Sequence, residues 1–192
     1  MDWDKNSLYF LIIFEKLFVM KSFRLALALM LPVLGGMVSC SSQVKAKHPV
    51  SYRFQSGRTA MLKNGIAYAP RNAPAAVKRA IAAGNRLQGM PYKWGGGHAS
   101  LDDSGYDCSG TVSYVLREAG LMRGCIASQE FFDYGKKGDG KWINLYVRDG
   151  HVFMTVAGLR LDTGGPGGET GPRWKPQTRQ GRGHFVRHPS GY

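Results

Sequence analysis

The 192-residue chain contains only three cysteines, Cys40, Cys108 and Cys125. They are too few to form the disulfide framework that holds many small secreted domains together. No group of His, Cys, Asp and Glu has the spacing of a zinc site, so we expect no metal. The thiol chemistry inferred below needs no organic cofactor, and we expect none. Each thiol therefore needs an explanation of its own.

Acidic residues are also scarce, since 13 Asp and Glu stand against 26 Lys and Arg and give a formal net charge of +13. A basic surface favours polyanionic partners, among them nucleic acids and anionic lipids. The sequence has no aromatic-interleaved RNA-binding motif, zinc-finger spacing or helix-turn-helix pattern. We therefore expect no nucleic-acid partner.

The chain lacks an uninterrupted hydrophobic run long enough to cross a membrane. Its two N-terminal apolar runs, residues 8–14 and 25–34, are separated by charged side chains. The second run follows a short basic segment at 20–24 and precedes small residues at 35–39 and then Cys40. This order is typical of a bacterial lipoprotein signal, so we predict cleavage before Cys40 and lipid on its thiol. An uncleaved membrane anchor that begins in the first run is the alternative.

These features divide the chain into four segments. Residues 1–19 carry acidic side chains that do not suit a signal, and we interpret them as an extension outside the native protein. Residues 20–39 form the lipoprotein signal, 40–70 the lipidated cysteine with a polar tether, and 71–192 a folded domain. The signal resembles those of Gram-negative lipoproteins, in which a serine after the lipidated cysteine permits transport to the outer membrane. We therefore expect a lipid-anchored protein of the cell envelope that faces the periplasm.

Within residues 71–192, helical patterns come first and strand patterns follow. One helix is predicted from residues 72–74 to Gly89, and a second from Cys108 to about residue 121. Strands are predicted at residues 142–147, 152–156, 159–162 and 184–187. This order indicates an α+β fold, in which N-terminal helices pack on a small antiparallel sheet.

Cys108 lies at the start of the second predicted helix, and Asp107 before it is a suitable N-cap. Unpaired backbone N–H groups and the helix dipole favour an anion in the first helical turn. A thiol in that position ionises readily and becomes nucleophilic. We therefore interpret Cys108 as a catalytic nucleophile, with a buried inert thiol as the alternative.

A candidate base lies downstream in a predicted β-hairpin. His151 opens one strand, a tight turn follows at Ala157-Gly158, and the second strand ends at Asp162. The end of the second strand returns beside the start of the first, so Asp162 is expected near His151. A carboxylate there orients the imidazole and stabilises its protonated form. A slip of one residue would bring Thr163 there instead, and capping of the following glycine-rich loop is a rival role for Asp162.

Three motifs occur in a recognisable order along the chain. They are Tyr92-x-Trp94-Gly95-Gly96, Asp107-Cys108-Ser109-Gly110 and Gly150-His151-Val152. Together they resemble the NlpC-type family of bacterial cell-wall cysteine endopeptidases, over roughly residues 74–162. The resemblance implies a papain-like domain that hydrolyses amide bonds in peptidoglycan stem peptides.

The resemblance also implies roles for individual residues. Cys108 would be the nucleophile, with its backbone N–H in the oxyanion hole, and His151 would be the general base. Tyr92 would line the site near the thiolate. Asp107 and Ser109 would hold the free amine of a stem peptide.

The chain departs from the family pattern at the third catalytic position, which is usually His, Asn or Gln. The nearest matches here are Asp162 and Thr163, and we favour Asp162 because a carboxylate stabilises an imidazolium better than a hydroxyl does. Two side chains near the motifs are harder to interpret. His98 either contacts substrate or is a solvated loop residue, and Cys125 is interpreted as a structural thiol.

The sequence thus predicts a monomeric thiol hydrolase of the cell envelope. Its expected partners are peptidoglycan stem peptides and, through the lipid on Cys40, a membrane. Two alternatives stay open. An amidase or acyltransferase would use the same thiol on another amide, and a non-catalytic envelope lipoprotein would use the fold to bind the cell wall.

Overall fold

The computed structural model describes residues 42–165 and 170–192. Residues 1–41 and 166–169 lie outside this part, so the predicted extension, the signal segment and Cys40 have no structural account. Among the described residues, no helix is both long enough and apolar enough to span a membrane.

Two α-helices form one layer of the fold. Helix α1 spans Ala75–Arg86 and helix α2 spans Cys108–Glu118, and a short 3-10 helix follows at Ser128–Phe132. The predicted apolar face of α1 is buried, with Val77, Ala80 and Ile81 almost inaccessible to solvent. Helix α1 packs on α2, and α2 in turn packs on the sheet.

The second layer is a six-stranded sheet, and a separate pair of strands precedes it in the chain. The described residues form the strands β1 (Met61–Lys63), β2 (Ile66–Tyr68), β3 (Lys136–Lys137), β4 (Ile143–Arg148), β5 (His151–Val156), β6 (Leu159–Asp162), β7 (Arg173–Lys175) and β8 (Phe185–His188). Strands β1 and β2 pair separately, whereas the larger sheet has the order β3-β8-β4-β5-β6-β7. Every pairing is antiparallel. The predicted α+β fold, with helices packed on an antiparallel sheet, is confirmed.

Strand β5 is buried on both faces. Val152, Met154 and Val156 belong to the core shared with the helices. Side chains alternate along a strand, so the opposite face carries His151 and Phe153. The candidate catalytic histidine, His151, is the first residue of β5 and so begins the β5–β6 hairpin.

The compact unit begins at Ser42, which differs from the predicted boundary at residue 71. The backbone around Val44 and Ala46 hydrogen-bonds to β8 and its preceding residue, at 2.7 and 2.8 Å. Val50 exchanges two backbone hydrogen bonds with Arg179, at 2.8 and 2.9 Å. Such pairing uses backbone groups and needs no apolar side-chain pattern, so the polar composition of the predicted tether concealed it.

Candidate active site

Cys108 is the first residue of α2, as the sequence predicted. Asp107 caps the helix, because its side chain accepts a hydrogen bond from the Gly110 amide at 2.7 Å. Cys108 is 8% exposed, so its thiol is largely shielded but not sealed from solvent. The first turn of a helix has free backbone amides, and Cys108 belongs to that turn.

A glycine-rich loop packs tightly against this helix start. A Cβ atom at Gly110 would collide with the carbonyl oxygen of Gly96, and the same oxygen accepts the Asp107 amide at 3.3 Å. This close approach explains why position 110 is glycine, and a Cβ atom at Gly96 would in turn collide with the carbonyl oxygen of Gly105. Tyr92 lies half-buried at the beginning of this loop, and its role beside the thiol stays a prediction.

His151 has both Asp162 and Cys108 as neighbours. Its Nε2 is 3.0 Å from Asp162 Oδ1, and Cys108 lies near enough to raise the pKa of the imidazole. Since Nε2 is engaged by the carboxylate, Nδ1 is the atom available to the thiol. The structure therefore brings the three residues proposed for catalysis into one neighbourhood.

The register of the β5–β6 hairpin decides which residue meets His151. Met154 pairs with Leu161 and Thr155 with Arg160, so the next residue, Asp162, falls on the same face as Phe153 and His151. Thr163 Oγ1 is buried and has no hydrogen-bond partner among the described residues. The contact is therefore made by Asp162, whose catalytic role stays a prediction.

Asp162 also contacts the loop that follows it. Its Oδ1 accepts the Gly164 amide at 2.9 Å. The rival role considered from the sequence, capping of the glycine-rich loop, is thus present in addition to the contact with His151. The carboxylate of Asp162 thus contacts both His151 and the Gly164 amide.

Two arginines that the sequence did not indicate surround the other carboxylate oxygen. Arg160 Nη1 donates to Asp162 Oδ2 at 2.5 Å, and Arg179 Nε lies 3.7 Å from the same atom. The Arg160 side chain is fully buried, and its second terminal nitrogen donates to the Gln177 carbonyl at 3.2 Å. The available signal was strand alternation, which places Arg160 and Asp162 on one face of β6.

These contacts determine the charges of His151 and Asp162. Burial by itself lowers the pKa of His151, but the hydrogen bonds and charges of Asp162 and Cys108 outweigh burial and raise the pKa from 6.5 to about 9. Burial raises the pKa of Asp162, but the hydrogen bond and charge of His151, the Gly164 amide and Arg160 lower it overall. At neutral pH the site therefore holds an imidazolium beside a carboxylate.

Asp107 and Ser109, predicted to contact substrate, form a second polar cluster beside Cys108. Ser109 Oγ donates to Asp107 Oδ1 at 3.1 Å, and His98 Nε2 lies 3.2 Å from Asp107 Oδ1 and 3.0 Å from Ser109 Oγ. Cys125 Sγ is 3.4 Å from His98 Nδ1. We call Asp107 and Ser109 the acceptor cradle. Both cysteines of this region, Cys108 and Cys125, are free thiols.

Within residues 42–165 and 170–192, no three or more His, Cys, Asp and Glu side chains are grouped to hold a metal ion. The chemistry that the described side chains support is nucleophilic attack by a thiol with help from an acid–base pair.

No protein-family model matches the chain. One curated protein, the peptidoglycan DL-endopeptidase CwlO of Bacillus licheniformis, is 31% identical over a match that covers 40% of this chain and 20% of the relative. The match thus spans only a fifth of that protein. It supports the resemblance to the NlpC-type family.

Solved structures of related folds were also found. The peptidoglycan hydrolase RipB from Mycobacterium tuberculosis has a TM-score of 0.48 at 24% identity, over 65% of this chain and 70% of the other. RipD from the same organism, a non-catalytic NlpC/p60 domain protein adapted to peptidoglycan binding, has a TM-score of 0.42 at 20% identity, over 60% and 98% of the two chains.

Proposed function

We propose that this chain is a cell-wall hydrolase of the NlpC type, a cysteine endopeptidase that cleaves amide bonds in peptidoglycan stem peptides. The observation that carries the proposal is the buried His151–Asp162 pair, 3.0 Å apart, with Cys108 near enough to raise the pKa of the imidazole. The sequence match to a peptidoglycan DL-endopeptidase supports the same substrate class.

The thiolate of Cys108 attacks the carbonyl carbon of the scissile amide and forms a tetrahedral intermediate. The backbone N–H at the start of α2 donates to the oxyanion that develops on the carbonyl oxygen. The His151 imidazolium then protonates the leaving nitrogen, so the C–N bond breaks and an amine departs. A thioester between Cys108 and the acyl part of the substrate remains.

Water completes the reaction. His151, now neutral, removes a proton from the water that attacks the thioester carbonyl, and the thiolate leaves as a carboxylic acid forms. Asp162 keeps the ring oriented in both half-reactions and stabilises the imidazolium. Tyr92, Asp107 and Ser109 are proposed to contact the substrate on either side of the thiol.

Digestion of purified peptidoglycan, with the products identified by mass spectrometry, tests the proposal. Wild-type protein is expected to release cleaved stem peptides, whereas Cys108→Ala and His151→Ala are expected to release none, because one lacks the nucleophile and the other the proton carrier. His188→Ala is the matched control, since His188 lies on β8 and bonds to the Gly138 carbonyl. Release of stem peptides by Cys108→Ala would refute the thiol mechanism.

The product masses also separate the alternatives. An amidase would release the whole stem peptide from the glycan, and an acyltransferase would yield products joined to a new amine. A binding module would pellet with the wall and yield no product. Only peptides cut within the stem support the endopeptidase.

We further propose that the protein is anchored in the cell envelope by lipid on Cys40, in the outer membrane and facing the periplasm. The proposal rests on the order of basic, apolar and small segments before that residue. Metabolic labelling with a fatty-acid analogue is expected to mark the wild-type chain and not Cys40→Ala. An unlabelled wild-type chain would contradict the anchor.

A further inference from the structure

Arg160 carries a permanent charge in the interior of the protein. Its side chain is 2% exposed, and that of Asp162, two residues further along β6, is 0% exposed. Arg160 Nη1 donates to Asp162 Oδ2 at 2.5 Å, and Nη2 donates to the Gln177 carbonyl at 3.2 Å. Arginine and aspartate are almost never fully buried unless they are paired. The two side chains therefore form a buried ion pair behind the candidate active site.

The same carboxylate has a second cationic partner, His151, whose Nε2 lies 3.0 Å from Asp162 Oδ1. The two partners differ in how they hold their protons. An arginine keeps its proton in proteins, whereas His151 gives its proton to the leaving amine in the proposed mechanism. If His151 were the sole partner, that transfer would leave a buried carboxylate without a counter-charge, which is strongly unfavourable.

Arg179 is less suited than Arg160 to supply that counter-charge. Its Nε lies 3.7 Å from Asp162 Oδ2, too far for a hydrogen bond, and its side chain is 17% exposed. Charges interact more weakly where water reaches them. Further charged or titratable groups on neighbouring elements hydrogen-bond to backbone carbonyls; they are Arg148 on β4, Arg173 and Lys175 on β7, and His184 before β8.

We propose that Arg160 is the permanent counter-ion of Asp162 and, through it, a positioning residue for His151. This role rests on the proposed function and deepens it, since it concerns the same site. Arg160 balances the buried carboxylate whether His151 is charged or neutral. The imidazolium can therefore release its proton to the leaving amine, and the neutral ring can later activate water. Arg160 acts through Asp162 and not on the substrate.

Loss of Arg160 is expected to change the proton affinity of His151 in a definite direction. Burial lowers the pKa of His151, but Asp162 and Cys108 raise it to about 9 overall. In Arg160→Gln the carboxylate loses its competing cation and holds the imidazolium more tightly, so the pKa is expected to rise further. If Arg160 merely kept Asp162 in place, its loss would loosen the contact and the pKa of His151 would fall toward 6.5.

Titration of the His151 ring by NMR in the full chain tests this direction and needs no substrate. The resonance is assigned by its absence from His151→Gln. The wild type is expected to titrate near pH 9, and Arg160→Gln about one pH unit higher. Arg160→Lys keeps the charge and is expected to titrate close to the wild type. An unchanged or lowered titration in Arg160→Gln would overturn the role of counter-ion.

A second buried arginine provides the matched control. Arg187 is 4% exposed and donates to the Tyr134 carbonyl at 2.8 Å, so Arg187→Gln is expected to lower the melting temperature without moving the His151 titration. The double variant Arg160→Gln/Asp162→Asn leaves neither charge buried and is expected to melt above Asp162→Asn, even if Arg160→Gln alone does not fold. A double variant that melts below Asp162→Asn or does not fold would overturn the pairing.

Turnover of stem peptides is recorded separately. In Arg160→Gln, kcat is expected to fall about tenfold with little change in KM, because proton release is impaired while substrate binding is not. A raised His151 titration without hydrolysis by the wild type would refute the proposed function and leave the role of Arg160 standing. Wild-type hydrolysis with no rise of the titration in Arg160→Gln would do the reverse.

Discussion

Three cationic side chains share the carboxylate of Asp162. His151 contacts one oxygen, and Arg160 and Arg179 lie 2.5 and 3.7 Å from the other. The two arginines fix the plane of the carboxylate, so Oδ1 stays directed at the imidazole. The orienting effect of Asp162 on His151 therefore depends on a charge network that includes both arginines.

The first prediction concerns the pH dependence of Asp162→Asn. The imidazolium of His151 persists up to about pH 9 because the carboxylate stabilises it. In the wild type, kcat/KM is therefore expected to fall on the alkaline side near pH 9, where the proton needed by the leaving amine is lost. Without the carboxylate charge, the pKa of His151 moves back toward 6.5, and the alkaline limb moves to lower pH. The pH profile of stem-peptide hydrolysis checks this.

Thr163→Val is the control for that measurement, since it removes the neighbouring hydroxyl without changing the charge. Its alkaline limb is expected to coincide with that of the wild type. Asp162→Asn also leaves Arg160 buried without its anionic partner, a change that costs roughly 3 kcal/mol or more, so rates must be measured below its melting temperature. An alkaline limb that stays near pH 9 in Asp162→Asn would contradict the role of the carboxylate.

Single residues differed in how far their contacts could be predicted. The approach of Asp162 to His151 followed from a short turn and strand alternation, because those two features fix a hairpin's register. The contacts of His98 with Asp107 and Cys125 could not be derived, since the loop between Gly97 and Tyr106 has no periodic pattern. Arg160 was missed because strand alternation places it on the face of Asp162 but does not show that its charged side chain is buried there.

At the scale of elements, the site depends on one close contact between a loop and a helix start. The carbonyl of Gly96 faces the Asp107 amide and the Cα atom of Gly110. This contact fixes the N-cap on which Cys108 depends. A small change of backbone spacing there is expected to move the thiol relative to His151.

The second prediction compares two glycine substitutions in α2 and its C-terminal cap. Gly110→Ala introduces a Cβ that collides with the Gly96 carbonyl, so it is expected to reduce hydrolysis by about tenfold or more and to lower stability. Gly120 lies past the end of the helix with φ of 75°, and Gly120→Ala is expected to cost about 1 kcal/mol while activity is kept. Urea denaturation and turnover assays measure the two effects. Equal turnover in both variants would show that the loop contact does not position the thiol.

Element boundaries were predictable where the pattern was long. The strand predicted at 159–162 is observed as Leu159–Asp162, and the helix after Cys108 ends at Glu118, where Gly120 and Leu121 hydrogen-bond back to Arg117 and Leu116. Strands β1, β2, β3 and β7 were missed. Each has only two or three residues, too few to show alternation.

At the scale of the whole molecule, the buried pair of His151 and Asp162 makes the free energy of unfolding depend on pH. The pKa of His151 is raised on folding from 6.5 to about 9, so its contribution is fully present below pH 6.5 and is lost as the pH rises through 9. The contribution amounts to about 3 kcal/mol by linkage. The pKa of Asp162 is lowered, so its contribution is present above its unfolded value and is lost in acid.

The third prediction is therefore that the free energy of unfolding declines from pH 6.5 to pH 9 in the wild type. In His151→Gln the decline is expected to be smaller, because glutamine has no charge to lose. Chemical denaturation across this pH range measures both proteins. Parallel curves would contradict a raised pKa for His151.

The last prediction concerns the segment that the sequence assigned to a tether. Residues 42–50 contribute a backbone edge to the folded unit through Val44, Ala46 and Val50, and Ala67 donates to and accepts from the Asn85 side chain at 2.9 Å in each direction. Each such hydrogen bond contributes about 1 kcal/mol net. A chain that starts at Ser42 is therefore expected to match a chain that starts at Cys40 in melting temperature, whereas a chain that starts at residue 71 is expected to melt at a clearly lower temperature. Val50→Pro, which removes one donor of the pair with Arg179, is expected to fall between them. If the chain that starts at residue 71 melted with the longer ones, residues 42–70 would act as a tether after all, whatever contacts they make.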